Sequence, residues 1–253
     1  LVFALLSVHF LSPIWGDRGG ILFGQQPILR CGTDEIMRKF LKEHPELAEQ
    51  IKNENEKLEK FTQQMLKSAA KVTDTPIYII PVVFHIVHNN GPENISDVQV
   101  FDQIRIFNED FRKWNADTVD IINEFKAIAG NAKVEFRLAE IDPYGNVTRG
   151  IVRVQSIYTN DPNMQYESNI KLDIWPRSKY LNIWSCVDIG GAAGYSYLPG
   201  GPTTTASNDG IMVVYSYVGS LGTSSVGNSR TLSHEAGHWS NLYHPWGWTN
   251  YPG

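Results

Sequence analysis

The sequence predicts an α+β architecture: a twisted mixed β-sheet, a backing helix and a histidine-bearing helix, preceded by a helical N-terminal segment. Three observations carry this. Residues 33–71 are charge-rich with helically spaced apolar positions, and the composition turns abruptly apolar and β-prone at Ile77. Beyond that point short strand-like runs are interspersed with helical stretches, as in a mixed sheet with packed helices.

In chain order, Thr33 or Asp34 is placed to cap the first helix, and Asp34 and Glu35 suit its positive first turn. His44-Pro45 interrupts it, because the residue before a proline avoids the helical region. A second helix follows with Ile51, Leu58, Phe61 and Met65 on one face and solvated Lys and Glu on the other. Residues 71–76 read as a linker. Ile77 to Val87 is a nearly continuous apolar run, as for a buried strand, in which Pro81 suggests an edge or a bulge. Ser96-Asp-Val-Gln99 is a capping box that opens the backing helix, with a stripe of Phe101, Ile104, Phe107, Phe111 and Trp114. Lys133 to Ile141 alternates, placing Val134, Phe136 and Leu138 on one face of a half-buried strand. Tyr180 to Cys186 and Gly210 to Tyr215 are further strands, Gly190 to Gly201 is glycine-rich, and Ser229 to Asn241 is a helix. There is no internal repeat.

A chain of 253 residues holds one sizeable core, or a small pro-region with one catalytic domain. Its 42% hydrophobic and 19% charged residues exclude disorder over most of the length. A net charge of -5 leaves no basic footprint, so nucleic acid is not the expected partner. Leu1 to Leu11 is apolar, shorter than the ~20 residues that span a bilayer and suited to a signal-peptide core. A frayed apolar terminus is the alternative. The chain opens on Leu1 rather than methionine, so a signal peptide at 1–16 is expected to be truncated. No long apolar stretch follows, so no stable membrane insertion is expected, and the product is expected to be a monomer. Cys31 and Cys186 form no CxxC pair; they are open to mutual bonding or to separate tasks.

Thr231-Leu-Ser-His234-Glu235-Ala-Gly-His238-Trp-Ser-Asn241-Leu-Tyr-His244 carries the chemistry. Residues four apart on a helix share a face, so His234 and His238 can bind one zinc at ~2.0–2.1 Å per bond. Glu235 lies beside the position of a water on that metal, as a general base would. A third protein ligand is needed, and no Asp or Glu follows Glu235, which leaves His244. For His244 to reach the metal the helix must stop near Asn241, a residue type that tolerates the left-handed conformation of such an end.

This arrangement resembles the metzincins, whose pattern is HExxHxxGxxH, and within them the pappalysin family, particularly its cytophagalysin-like members. The similarity runs through His234 to Gly247 and also covers Tyr180 to Cys186, Gly194 to Gly201, Asp209 to Val214, Ile80 to Val87 and Arg30 to Glu35. Asn241 stands where the pattern has glycine, which the turn tolerates. The resemblance implies a metzincin-type zincin fold and a secreted zinc endopeptidase acting on proteins or peptides, often with structural calcium. It also implies a pro-region at 17–75 and a catalytic domain at 76–253. A Met-turn beneath the zinc is expected well beyond the third histidine. Gly253 follows His244 by nine residues, so the catalytic domain is expected to hold its upper part only, truncated before that turn.

The resemblance also implies a zymogen switch at Cys31, since in several metzincins a cysteine in such a setting supplies a thiolate that occupies the water position on zinc. A disulfide with Cys186, a lipid-bearing role and an incidental cysteine remain alternatives, and Cys186 is also open to pairing with a cysteine beyond the chain. The resemblance implies that Gly194, Tyr195, Ser196 and Tyr197 form an edge strand that receives substrate by β-augmentation; a plain surface hairpin is the alternative. His85 and His88, three apart on a strand, face opposite ways and cannot chelate together. The rival to an enzyme is a truncated, non-catalytic paralogue that binds metal or protein.

Overall fold

The computed structural model describes residues 30–69, 76–199 and 209–245. The expected signal segment, most of the linker and residues 246–253 lie outside the described residues. Among them one sheet of seven strands runs in the order β1 (Arg30–Cys31), β6 (Ala192–Ser196), β7 (Ile211–Val214), β5 (Leu181–Cys186), β2 (Tyr78–His88) and β3 (Val134–Leu138), with β4 (Ile151–Gln155) also on β2. Every pairing is parallel except β6 with β7.

The apolar run at 77–87 becomes central strand β2 because both faces of the sheet are covered. Val82, Phe84 and Ile86 enter one core with Ile183, Ile211 and Val213, while Val87 joins Trp184, Met212 and Val214 on the other side. Pro81 therefore does not mark an edge strand. It pairs with Arg137 of β3, and pairing with β5 starts only at Val82, so the missing N–H falls where one neighbour is in register.

The first core is closed by α3 (Asp97–Arg112). Ser96 caps it as the sequence requires, its hydroxyl accepting from the Gln99 N–H at 3.2 Å. The buried face, however, is Val100, Phe107 and Phe111, while Phe101 and Trp114 are exposed. The stripe is thus rotated from the expected one. Phe107 stacks on Phe136 with ring centroids 4.6 Å apart and Phe111 meets it edge-on at 4.8 Å, each contact contributing ~0.5–1.5 kcal/mol beyond area burial. The same core receives Leu232 and Ala236 from α6 (Thr231–Trp239), so the histidine-bearing helix is seated on the sheet by its apolar side.

The N-terminal segment folds as α1 (Thr33–Glu43), a short 3-10 turn at Pro45–Leu47, and α2 (Ala48–Ala69). Ile36 and Met37 of α1 bury in the second core. On α2 only Ile51 of the expected stripe is buried; Leu58, Phe61 and Met65 are exposed. Two short helices, α4 (Asn123–Lys126) and α5 (Glu167–Ile170), and strand β4 were not evident from the sequence pattern. No helix among the described residues is long and apolar enough to cross a membrane.

Candidate metal centre

Helix α6 carries His234 and His238 one turn apart, and the chain then reverses to bring back His244. The reversal is a Schellman ending: Leu242 N–H bonds to Gly237 C=O at 3.0 Å and Asn241 N–H to His238 C=O at 2.8 Å. Asn241 takes φ 69°, the left-handed conformation expected of it. The result is a triangle of imidazole nitrogens. His234 Nε2 lies 2.9 Å from His238 Nε2 and 3.1 Å from His244 Nε2, and the last two are 3.0 Å apart.

The partner of the other ring nitrogen fixes one tautomer. His238 Nδ1 lies 2.6 Å from the Leu242 carbonyl, which only accepts, so in the neutral ring the proton sits on Nδ1 and the Nε2 lone pair faces the other two histidines. His244 Nδ1 lies 2.9 Å from Asp34 Oδ2. Three imidazole nitrogens converging within 3.1 Å are the arrangement that a shared cation satisfies. Burial, followed by the neighbouring histidines, lowers the His234 pKa to about 3, and burial lowers that of His238 to about 4. Both are therefore neutral donors at pH 7. The Sγ of Cys31 completes the set, all four ligand atoms lying within 4.8 Å of one another. Three imidazoles and one thiol are a donor set that suits zinc.

Cys31 arrives from the other side on β1, which lies parallel to β6 and is held by Gly32 N–H to Gly194 C=O at 2.9 Å. It is bonded to no cysteine, and Cys186 is a free thiol buried in the second core. The disulfide alternative is thereby removed. Burial and then the Glu235 carboxylate push the Cys31 thiol pKa far up, so without a cation it remains protonated.

Glu235 is fully buried beside the triangle. Its Oε2 accepts from Thr33 Oγ1 at 3.0 Å and meets Cys31 Sγ at 3.7 Å, whereas Oε1 has no hydrogen-bond partner among the described residues. Burial raises its pKa to about 8, against the lowering effect of the Cys31 and Thr33 hydrogen bonds. Gly194 makes this packing feasible, since a Cβ there would stand 2.9 Å from Glu235 Cγ.

Thr33 and Asp34 were expected to cap α1. Neither does: the helix begins after Gly32 without a side-chain cap, and both side chains turn to the centre, Thr33 to Glu235 and Asp34 to His244. Their type and position gave no signal of this, because the partners lie 202 and 210 residues away.

Gly194, Tyr195 and Ser196 lie in β6 and Tyr197 just beyond it, all four buried rather than on a surface hairpin. Ser196 donates its N–H to Thr33 Oγ1 at 3.1 Å and its hydroxyl to the Glu235 carbonyl at 3.1 Å. The phenols of Tyr195 and Tyr197 both donate to Glu167 Oε1 at 2.9 Å, and Lys171 sits 3.1 Å from the other oxygen of that carboxylate. This buried cluster anchors β6 from behind. His85 and His88 take no part in the centre; His85 is stacked on Trp184 and bonds Asn182.

No family model matches the chain. It is 27% identical to an extracellular metalloprotease of Colletotrichum graminicola, over 94% of this chain and 73% of that protein. It is 30% identical to extracellular metalloprotease 1 of Coccidioides posadasii, over 65% of this chain and 51% of that protein, so it spans about half of that relative. Among solved structures, Tannerella forsythia mature mirolysin in complex with a cleaved peptide is 37% identical with a TM-score of 0.63, covering 68% of this chain and 66% of that one. A promirolysin mutant of the same organism is 33% identical with a TM-score of 0.65, covering 87% of this chain and 71% of that one. The sheet, the helices and these identities agree on one assignment: the chain belongs to the family of metalloproteases, hydrolases of peptide bonds, that includes mirolysin.

Proposed function

We propose that this chain belongs to the precursor of a secreted zinc endopeptidase, with zinc held by His234, His238 and His244, Glu235 as general base and Cys31 as the latency ligand. The single observation that carries the reading is the triangle of histidine Nε2 atoms at 2.9–3.1 Å. The pappalysin branch of the metzincins, its cytophagalysin-like members in particular, is the closer affiliation we infer, supported by the sequence from His234 to Gly247 and its upstream companions.

Zinc, when bound, supplies the Lewis acid that polarises the scissile carbonyl and acidifies the attacking water. The residues of the chain do the rest. Oε1 of Glu235, which has no hydrogen-bond partner among the described residues, takes the proton from water during attack and returns it to the departing amine. Burial favours proton acceptance by this carboxylate, having raised its pKa. Strand β6 offers its backbone to an extended protein or peptide substrate, the edge that β1 covers here.

Coverage supports a pro-region at 17–75 ahead of a catalytic domain at 76–253. It rises from 68% of this chain against mature mirolysin to 87% against promirolysin. In this reading the Cys31 thiolate closes the zinc and Thr33 occupies Glu235 until the pro-region is cut away. Secretion is supported by relatives named extracellular and by the apolar run at 1–11. Calcium is assigned no residues. A non-catalytic paralogue is disfavoured by Glu235, which keeps an open oxygen although a base is the one group that metal binding alone does not need.

The test uses the full-length precursor and its processed form. One zinc per chain and peptide hydrolysis after processing are expected, both lost in His238→Ala. Stoichiometric zinc in that variant, or no hydrolysis by the processed wild type with zinc, would refute the reading.

A further inference from the structure

His244 is the most weakly tethered of the three ligands by chain geometry, since it stands on a loop beyond the end of α6 rather than on the helix. Its ring is nonetheless buried, and what holds its far nitrogen is Asp34 of α1, at 2.9 Å with side-chain exposures of 1% and 7%. That carboxylate stands in the first turn of its own helix but makes no cap hydrogen bond there. A carboxylate on the outer nitrogen of a metal-bound imidazole fixes the tautomer, orients the ring and raises its basicity. A second contact steadies the same loop from α2, where Asn55 Nδ2 donates to the Tyr243 hydroxyl at 2.7 Å.

We propose that Asp34 is a positioning residue for the zinc ligand His244, so that the N-terminal segment which blocks the centre through Cys31 also builds part of it. The inference rests on the zinc reading above. Latency and metal retention are then coupled: the segment supplies one ligand and the outer partner of another, and cutting it away removes both.

The experiment is zinc competition against a chromogenic chelator of known affinity, run on the full-length precursor in a Cys31→Ser background, where the histidines carry the binding. Asp34→Ala is expected to weaken zinc about 10–100-fold. Asp34→Asn, whose amide oxygen still accepts from Nδ1 but without charge, is expected to fall between the two. The visible spectrum of the cobalt-substituted protein should shift in Asp34→Ala and less so in Asp34→Asn. Equal zinc affinity of Asp34→Ala and its parent overturns the inference. If circular dichroism shows the alanine variant unfolded, Asp34→Asn decides alone, and parental affinity there overturns it. A parent protein that binds no stoichiometric zinc would instead sink the reading beneath it.

Discussion

At Glu235 the two carboxylate oxygens have different fates. Oε2 is engaged by Thr33, while the buried Oε1 has no hydrogen-bond partner among the described residues. As Glu235 is not one of the four ligand residues, Glu235→Gln should keep one zinc per chain while hydrolysis by the processed enzyme falls about 10²–10⁴-fold. Zinc analysis beside a peptide assay checks both halves. His85 offers a second prediction, on stability. It is buried, its Nδ1 has no hydrogen-bond partner among the described residues, and burial lowers its pKa from 6.5 to about 4. The folded state thus binds the proton less readily than the unfolded one. Its contribution is fully present above pH 6.5 and is lost as the pH falls towards 4, by up to about 3 kcal/mol. Denaturant unfolding of wild type and His85→Gln across pH 4–7 should show a shallower acid loss in the variant. Residues of this kind divided sharply in legibility. His234, His238 and Glu235 could be read because helical periodicity fixes their mutual placement within five positions. Thr33 and Asp34 could not, because their roles depend on a docking of distant segments that local rules read as helix capping.

Among the elements, the turn after α6 was legible in detail because one conformational demand, a positive φ, falls on one residue. Asn241→Gly should leave stability and zinc binding nearly unchanged, whereas Asn241→Val should cost roughly 1–2 kcal/mol in backbone strain and loosen zinc by displacing His244. Thermal unfolding with a zinc competition assay checks the pair. Strand β6 carries the matching prediction on the other wall. A methyl at Gly194 would meet Glu235 Cγ at 2.9 Å and the Met212 carbonyl at 3.2 Å, so Gly194→Ala should cost about 1–3 kcal/mol and reduce turnover by pushing the base aside. Unchanged stability and turnover would show that the strand yields freely. The backing helix shows where pattern reading stops. Its start was fixed by the Ser96 cap, but both Val100 and Phe101 fit an apolar stripe, and only the packing of Phe107 and Phe111 on Phe136 selects Val100 for the core. Likewise the apolar positions of α2 beyond Ile51 satisfy helical spacing without being buried.

Across the molecule, the N-terminal segment adds strand β1 to the sheet, helix α1 to the second core, and three side chains to the centre: Cys31, Thr33 and Asp34. In the proposed latent form blockage is therefore distributed. Cys31→Ser precursor should show hydrolysis above that of the wild-type precursor yet below that of the processed enzyme, because Thr33 still engages Glu235 and β1 still covers β6. The mixed sheet and the helix order were legible from composition; the pairing of residues 30–31 with β6 was not, since two residues of β1 carry no strand signal of their own. A four-ligand centre that joins Cys31 to the three histidines is read out by X-ray absorption at the zinc edge of the full-length precursor. Three nitrogen ligands at ~2.0–2.1 Å and one sulfur at ~2.3 Å are expected, the sulfur disappearing in Cys31→Ser. A wild-type precursor whose zinc shows only nitrogen and oxygen ligands would contradict it.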